Sequence, residues 1–176
     1  LLELLQQRGE ALAADAAMTI AIDVAQALEY AHGKTNVLPG GVLHLGLTAA
    51  SVMVTYEGEV KLVDVGLLAA LMRPGWSDDA ALTATLAYLA PEQWRGDGVD
   101  ARADVFSLRV VLHELLGGGR AFLSDRASEL RKAIEGGPPA APPADPRLQQ
   151  IVTRALAPDP AQRFASVEEM RTAIQG

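Results

Sequence analysis

The stretch R-A-D-V-F-S-L-R-V-V-L-H-E-L-L, residues 102–116, is the part of the sequence that decides the fold. Its apolar side chains recur at helical spacing and cover much of the helix circumference. They are Val105, Leu108, Leu112, Leu115 and Leu116. A helix that is apolar on most sides is usually buried in the middle of a domain. We therefore predict a central helix against which the other elements pack.

Helical patterns are predicted on both sides of this stretch. A long helix is expected over residues 15–32, with Asp15 as its cap and Gly33 as its stop. Further helices are expected over residues 1–8, 124–135, 146–156 and 167–175. Ser166 and Glu169 form an S-x-x-E capping box at the start of the last of these helices.

The two short runs over residues 51–56 and 59–65 are typical of strands, because apolar residues alternate along them. Glu57 and Gly58 supply the turn between the runs, so we predict a β-hairpin. Residues 73–84 are predicted to form an irregular loop. The expected fold class is mainly α with one small β-hairpin.

Composition excludes several classes of protein. The chain has 176 residues, 49% of them hydrophobic, and a net charge of −7, which suits one folded domain and excludes a disordered chain. Without cysteine there is no disulfide scaffold and no thiolate site. The acidic balance disfavours nucleic acid as a partner. The longest uncharged run, residues 35–56, contains Pro39 and several glycines, so we expect no membrane insertion.

The order of four motifs carries a resemblance. They are K-L-V-D-V-G at 61–66, A-T-L-A-Y-L-A-P-E-Q at 84–93, A-R-A-D-V-F-S-L at 101–108 and D-P-A-Q-R-F at 159–164. The series resembles the C-terminal lobe of a bacterial eukaryotic-like Ser/Thr protein kinase and covers essentially residues 1–176 as one domain. The N-terminal lobe is absent from this chain, which begins at Leu1 and is expected to be an excerpt of a longer protein.

The resemblance implies that the catalytic loop is degenerate. The family motif is H-R-D-L-x-x-x-N, and the matching segment here, H-L-G-L-T-A-A-S, begins at His44. Gly46 replaces the catalytic Asp, Thr48 replaces the usual Lys, and Ser51 replaces the metal-binding Asn. We therefore expect a pseudokinase with no catalytic residue and no cofactor.

The D-F-G tripeptide of the family corresponds to D-V-G, which places Asp64 at the position of a metal ligand. Mg²⁺ normally takes several oxygen ligands, so a lone carboxylate is a vestigial candidate and is expected to be a turn residue. His32 and His113 lie on separate predicted helices and form no recognisable ligand set. No metal site is predicted.

Three positions that serve the fold in the family are retained. Glu92 and Arg163 resemble the two residues that form a buried ion pair. Asp104 resembles the residue that accepts hydrogen bonds from the backbone of the catalytic loop. Retention of this set beside the loss of the chemical set is the signature of a pseudokinase.

The surface that would face an N-terminal lobe is predicted to be apolar. Its candidate interface residues are Leu45, Leu47, Val52, Val54 and Val65, with Trp76 as a possible anchor in the following loop. Exposed apolar patches usually mark interfaces. We expect a protein partner, a second copy or another part of the parent chain to cover this face.

These observations predict a non-catalytic pseudokinase module that acts as an interaction or regulatory scaffold in a bacterial cytoplasm. One alternative is the C-terminal lobe of a longer kinase-like protein that still binds nucleotide or transfers phosphate through an upstream lobe. The other is a purely structural spacer domain.

Overall fold

The structure is a computed structural model that describes residues 10–67, 84–117, 119–137 and 146–176. The helices that lie wholly in these ranges are α1 Ala14–His32, α2 Pro91–Arg95, α3 Ala101–Gly117, α4 Ala127–Glu135, α5 Pro146–Ala155 and α6 Val167–Gln175. The structure also contains two strands, β1 Val52–Val54 and β2 Val60–Leu62. There are two short 3₁₀ turns, at Ala49–Ser51 and Pro160–Gln162. The prediction of a mainly helical fold with a small hairpin is confirmed.

Helix α3 is the centre of the core, as its apolar pattern predicted. It packs against α1, α5 and α6, while α1 also contacts α6 and β2. Its apolar residues from Val105 to Leu115 are buried almost without exception. The same helix also buries four polar side chains: Asp104, Ser107, Arg109 and Glu114. Burying a polar group without a hydrogen-bond or ionic partner lowers the stability of the fold. The partners of these four side chains are therefore described below.

The hairpin is antiparallel, with Val52 opposite Leu62 and Val54 opposite Val60. Its turn closes through the Thr55 N–H, which donates to the Glu59 carbonyl at 2.9 Å. Both strands are shorter than the sequence pattern predicted. The second one ends because Asp64 adopts a left-handed φ of 61°, which turns the chain out of the sheet.

The ends of α1 differ from the prediction. The helix begins after Ala13, and Asp15 lies inside its first turn, so the prediction that Asp15 is the cap is wrong. Gly33 ends the helix as expected, with its N–H donating to the Glu29 carbonyl. The turn that requires glycine comes later, at Gly41, where φ is +86° and a Cβ would lie 1.8 Å from the His32 carbonyl oxygen.

Side-chain hydrogen bonds shape the chain before α4 and α6, and only α6 is capped by the side chain of its own N-cap residue. Before α4, the Ser124 hydroxyl accepts from the Arg126 N–H and donates to Glu129, which makes a turn where a helix was predicted. Helix α6 begins at Val167 as predicted, and Ser166 accepts from the Glu169 N–H at 3.1 Å. The Glu169 carboxylate accepts from Ala165 rather than from the cap residue itself.

Helix α2 was not predicted. It is only five residues long, starts with Pro91 and ends at Gly96, which has a left-handed φ of 72°. The predicted helix over 1–8 lies outside the described residues, as does all but the last residue of the predicted loop over 73–84. Within the described ranges, no helix combines the length and the apolar character needed to cross a membrane.

Candidate functional site

Asp104 holds the backbone of the 44–51 loop from the start of α3. Its carboxylate is fully buried, with Oδ2 accepting from the His44 N–H and Oδ1 from the Leu45 N–H, both at 2.8 Å. Leu45 has a φ of 58°, which is unfavourable for a residue other than glycine. The Gln93 side chain adds a third restraint, because its Nε2 donates to the Leu45 carbonyl at 2.8 Å. The path of this loop is therefore set by main-chain hydrogen bonds.

His32 is a further partner of Asp104 that the sequence did not reveal. Its Nε2 lies 2.8 Å from Asp104 Oδ2, across 72 positions of sequence. His32 is the last residue of α1, so the contact joins the end of that helix to α3 and to the loop. The local sequence pattern does not predict this contact, because the contact depends on how α1 and α3 pack against each other.

His44 is buried and packs beside the segment that follows β2. Its Nε2 lies 3.1 Å from the Val63 carbonyl, and its own carbonyl accepts from the Gly66 N–H at 3.2 Å. Its Nδ1 is buried and has no partner in the described part of the chain. These contacts tie the 44–51 loop to the D-V-G segment, 64–66.

Three positions of the 44–51 loop at which the family resemblance places functional groups carry a glycine and two hydroxyl side chains. Gly46 is buried and has no side chain to accept a proton. The Ser51 hydroxyl accepts from the Thr48 N–H at 3.3 Å and lies 3.2 Å from the Thr48 hydroxyl. Both hydroxyls are thus engaged in closing the 3₁₀ turn at Ala49–Ser51, and Ser51 is almost fully buried.

Asp64 is exposed at the turn after β2 and has a left-handed backbone. Its carbonyl accepts from the Leu67 N–H at 3.1 Å, which continues the turn. Over the described ranges, no group of three or more acidic or histidine side chains is placed to hold a metal ion. Among the described residues, Asp64 therefore belongs to no such group.

Glu92 and Arg163 form a bidentate, buried ion pair. Arg163 Nη1 donates to Glu92 Oε1 at 2.6 Å, and Nη2 donates to Oε2 at 2.8 Å. The guanidinium also donates to the Ala157, Pro158 and Arg102 carbonyls and lies 5.0 Å from the Phe106 ring. One side chain thus connects α2, the start of α3 and the segment between α5 and α6.

The segment before α2 is anchored to α3 by two further buried contacts. Ser107 donates to the Tyr88 carbonyl at 2.8 Å, and the Tyr88 hydroxyl donates to Glu114 Oε2 at 2.7 Å. Burial raises the pKa of Tyr88 and also raises the pKa of Glu114. The 84–93 segment therefore has a fixed position on the central helix.

The candidate interface residues differ in how far the structure exposes their side chains to solvent. Val54 and Val65 are exposed, at 39% each, whereas Leu45 and Val52 are partly buried against the core. The prediction that Leu47 lies on this surface is wrong, because the loop turns that side chain into the core, where it is fully buried. Trp76 lies outside the described residues.

Other apolar residues that the sequence did not single out join the exposed pair. We call the exposed apolar set on the hairpin and the segment after it the hairpin face. It consists of Met53, Val54, Val63, Val65 and Leu67, each at least 39% exposed. Successive side chains of a strand point to opposite sides, so Met53 and Val54 extend this set over both sides of β1.

Comparisons with a family model and with individual known proteins indicate the same family. The family described as protein tyrosine and serine/threonine kinase matches residues 1–174. A probable serine/threonine-protein kinase of Streptomyces coelicolor is 34% identical over 174 residues, covering 95% of this chain and 25% of that protein. The serine/threonine-protein kinase PknB of Mycolicibacterium smegmatis is 38% identical over 162 residues, covering 88% of this chain and 25% of PknB. The tyrosine-protein kinase MasK of Myxococcus xanthus is 32% identical over 165 residues.

The chain therefore spans about a quarter of the length of these curated relatives.

Proposed function

Because the chain belongs to the protein tyrosine and serine/threonine kinase family, we propose that it is a degenerate kinase-like C-terminal lobe that acts as a protein-interaction module. In this proposal the module works in the cytoplasm as a regulatory scaffold and transfers no phosphate. The residues that shape the lobe are present, whereas Gly46, Thr48 and Ser51 replace three of those that would perform the chemistry.

The observation that carries the proposal is the combination of Asp104 and Gly46. Asp104 holds the loop backbone at two N–H groups, while Gly46 offers no carboxylate to orient a substrate hydroxyl. Phosphoryl transfer depends almost entirely on positioning and charge stabilisation. Loss of a positioned base alone lowers such rates by about 10²–10⁴-fold. At the positions where the family has a Lys and a metal-binding Asn, the loop offers only the Thr48 and Ser51 hydroxyls, which are hydrogen-bonded to each other.

A thermal-shift titration with ATP and Mg²⁺ tests the loss of nucleotide chemistry. We expect no stabilisation of the wild type or of Asp64→Ala, since a lone exposed carboxylate binds Mg²⁺ weakly. Glu57→Ala is the matched control, because Glu57 is another exposed acidic residue of the hairpin region. A Mg²⁺-dependent stabilisation that Asp64→Ala abolishes and Glu57→Ala preserves would contradict the proposal.

The hairpin face is the proposed interaction surface. Each of its five apolar side chains is exposed, and exposed apolar patches usually mark an interface. A protein partner, a second copy or another part of the parent chain would cover it. The isolated chain should then self-associate at high concentration.

Light scattering on sized samples tests this surface. Val65→Asp should reduce self-association, because it places a charge in the centre of an apolar contact. Leu123→Asp is the control, since Leu123 is also strongly exposed but lies outside the hairpin face. A wild type that stays monomeric at every concentration would count against coverage by a second copy and leave the structural-spacer alternative stronger.

The main alternative is that a longer kinase-like protein containing this chain binds nucleotide or transfers phosphate. The named relatives are kinases, and the chain spans about a quarter of their length. Radioactive phosphate transfer by the parent protein, with and without Asp64→Ala, separates the two proposals. Transfer that depends on Asp64 would support the alternative and refute a non-catalytic role.

A further inference from the structure

Helix α3 buries a cation that has no counter-charge in the described part of the chain. Arg109 is fully buried, and its Nε donates to the Val152 carbonyl of α5 at 2.9 Å. Both terminal nitrogens, Nη1 and Nη2, are also buried and have no acceptor among the described residues. Four N–H bonds of one guanidinium are thus left without partners.

His113 lies one helical turn further along the same face of α3. Its Nδ1 is buried and likewise lacks a partner among the described residues. Burial, and then the nearby charge of Arg109, lowers the pKa of His113 to about 4, so the ring is neutral at pH 7. A neutral ring can donate through Nδ1 in one of its tautomers. His113 is partly exposed, which brings solvent to the edge of the pair.

An unpaired guanidinium inside a protein is strongly unfavourable, because its hydration is lost and nothing replaces it. Burial alone lowers the pKa of Arg109, to about 9, with no carboxylate opposing that effect. The Glu92–Arg163 pair of the same fold shows the usual solution, in which two carboxylate oxygens accept from the two terminal nitrogens. Among the described residues, no corresponding acceptor lies at Arg109.

We propose that the Arg109–His113 face of α3, beneath α5, binds a small oxyanion of the carboxylate or phosphate type. Nη1 and Nη2 offer the parallel pair of donors that matches two oxygens of such an anion. His113 Nδ1 would supply a third donor from the next turn. A compact anion is required because this face lies under a packed helix. The inference does not depend on the proposed scaffold role.

Thermal unfolding in sodium phosphate and in sodium acetate tests the proposal, with sodium chloride keeping the ionic strength constant. The wild-type Tm should rise saturably, by about 3–6 °C at ten times the Kd of the preferred anion. Arg109→Met should be at least as stable without the anion and should show no such rise. A rise in phosphate alone, or in acetate alone, identifies which type of oxyanion the site prefers.

Arg95→Met is the matched control, because Arg95 is an exposed arginine that is paired with Asp97. It should keep the wild-type response. The proposal would be overturned if the wild-type Tm did not respond to either anion. It would also be overturned if the Tm of Arg109→Met rose as much as that of the wild type, because this would indicate a general salt effect.

The ring nitrogen resonances of His113 give a second readout that does not depend on stability. They should shift during the titration in the wild type and stay fixed in Arg109→Met. The resonances of His32 and His44 should not move, since these rings lie at the end of α1 and in the 44–51 loop rather than on the Arg109–His113 face of α3. Fixed His113 resonances in the wild type would also overturn the proposal.

Discussion

Replacing Arg163 by Met is the sharpest test of how this fold is held together. The side chain is fully buried and donates five hydrogen bonds, two to Glu92 and three to main-chain carbonyls. Methionine fills a similar volume but leaves the buried Glu92 carboxylate with no cation beside it. Breaking a buried ion pair on one side costs about 3–5 kcal/mol. Since a domain has about 5–15 kcal/mol of stability in total, this is a large part of it.

The expected effect is measurable by two methods. Each kcal/mol lowers the Tm of a domain of this size by about 2–4 °C, so Arg163→Met should lower it by about 6–20 °C. Urea unfolding followed by circular dichroism gives the free energy of unfolding directly. A double-mutant cycle with Glu92→Gln should show a coupling energy of about 2 kcal/mol or more, because each single variant orphans the other group.

Arg171→Met is the control for this experiment. Arg171 also donates to a carboxylate, that of Glu29 at 2.6 Å, but this pair is partly exposed to solvent. Exposed pairs contribute little because water and salt screen them. The reasoning is refuted if Arg163→Met lowers the free energy of unfolding no more than Arg171→Met does.

Three further predictions concern other buried positions. Asp104→Asn should lower the free energy of unfolding by about 1–3 kcal/mol, seen in urea, because one amide oxygen cannot serve both loop N–H groups. Burial raises the pKa of Glu114 above its ordinary 4.5, so its contribution to stability should fall as the pH rises through the folded-state pKa. Glu114→Gln should flatten this slope in urea unfolding as the pH is raised from about 4. Gly41→Ala should lower the Tm far more than Gly58→Ala, since both have positive φ but only position 41 is blocked by the His32 carbonyl.

The elements with strong local signals were predictable from the sequence. Helix α6 has its predicted bounds because Ser166 caps it through a contact three residues away. The hairpin was predictable because its alternation and its turn residues agree. The five-residue helix α2 was missed, since it is too short to show a helical period and is held by the buried Glu92.

The candidate site was only partly predictable, because its contacts are tertiary. The resemblance named Asp104, but the His32 contact depends on the packing of two helices distant in sequence. Leu47 looked equivalent to Leu45 in sequence, yet the left-handed φ at Leu45 sends the next side chains inward. Which apolar side chains of the hairpin stay exposed likewise depends on which elements cover them. The pattern of apolar and polar residues along the sequence does not show which elements pack against one another.

The main-chain anchoring of Leu45 separates the shape of its loop from the side-chain chemistry that the loop displays. Asp104 and Gln93 hold peptide N–H and carbonyl groups, which every amino acid other than proline provides. Natural variation at position 46 can therefore remove or introduce a functional group without a folding penalty from these anchors. Such a loop is permissive over evolutionary time, so a lineage could lose one activity and acquire another while the scaffold beneath persists.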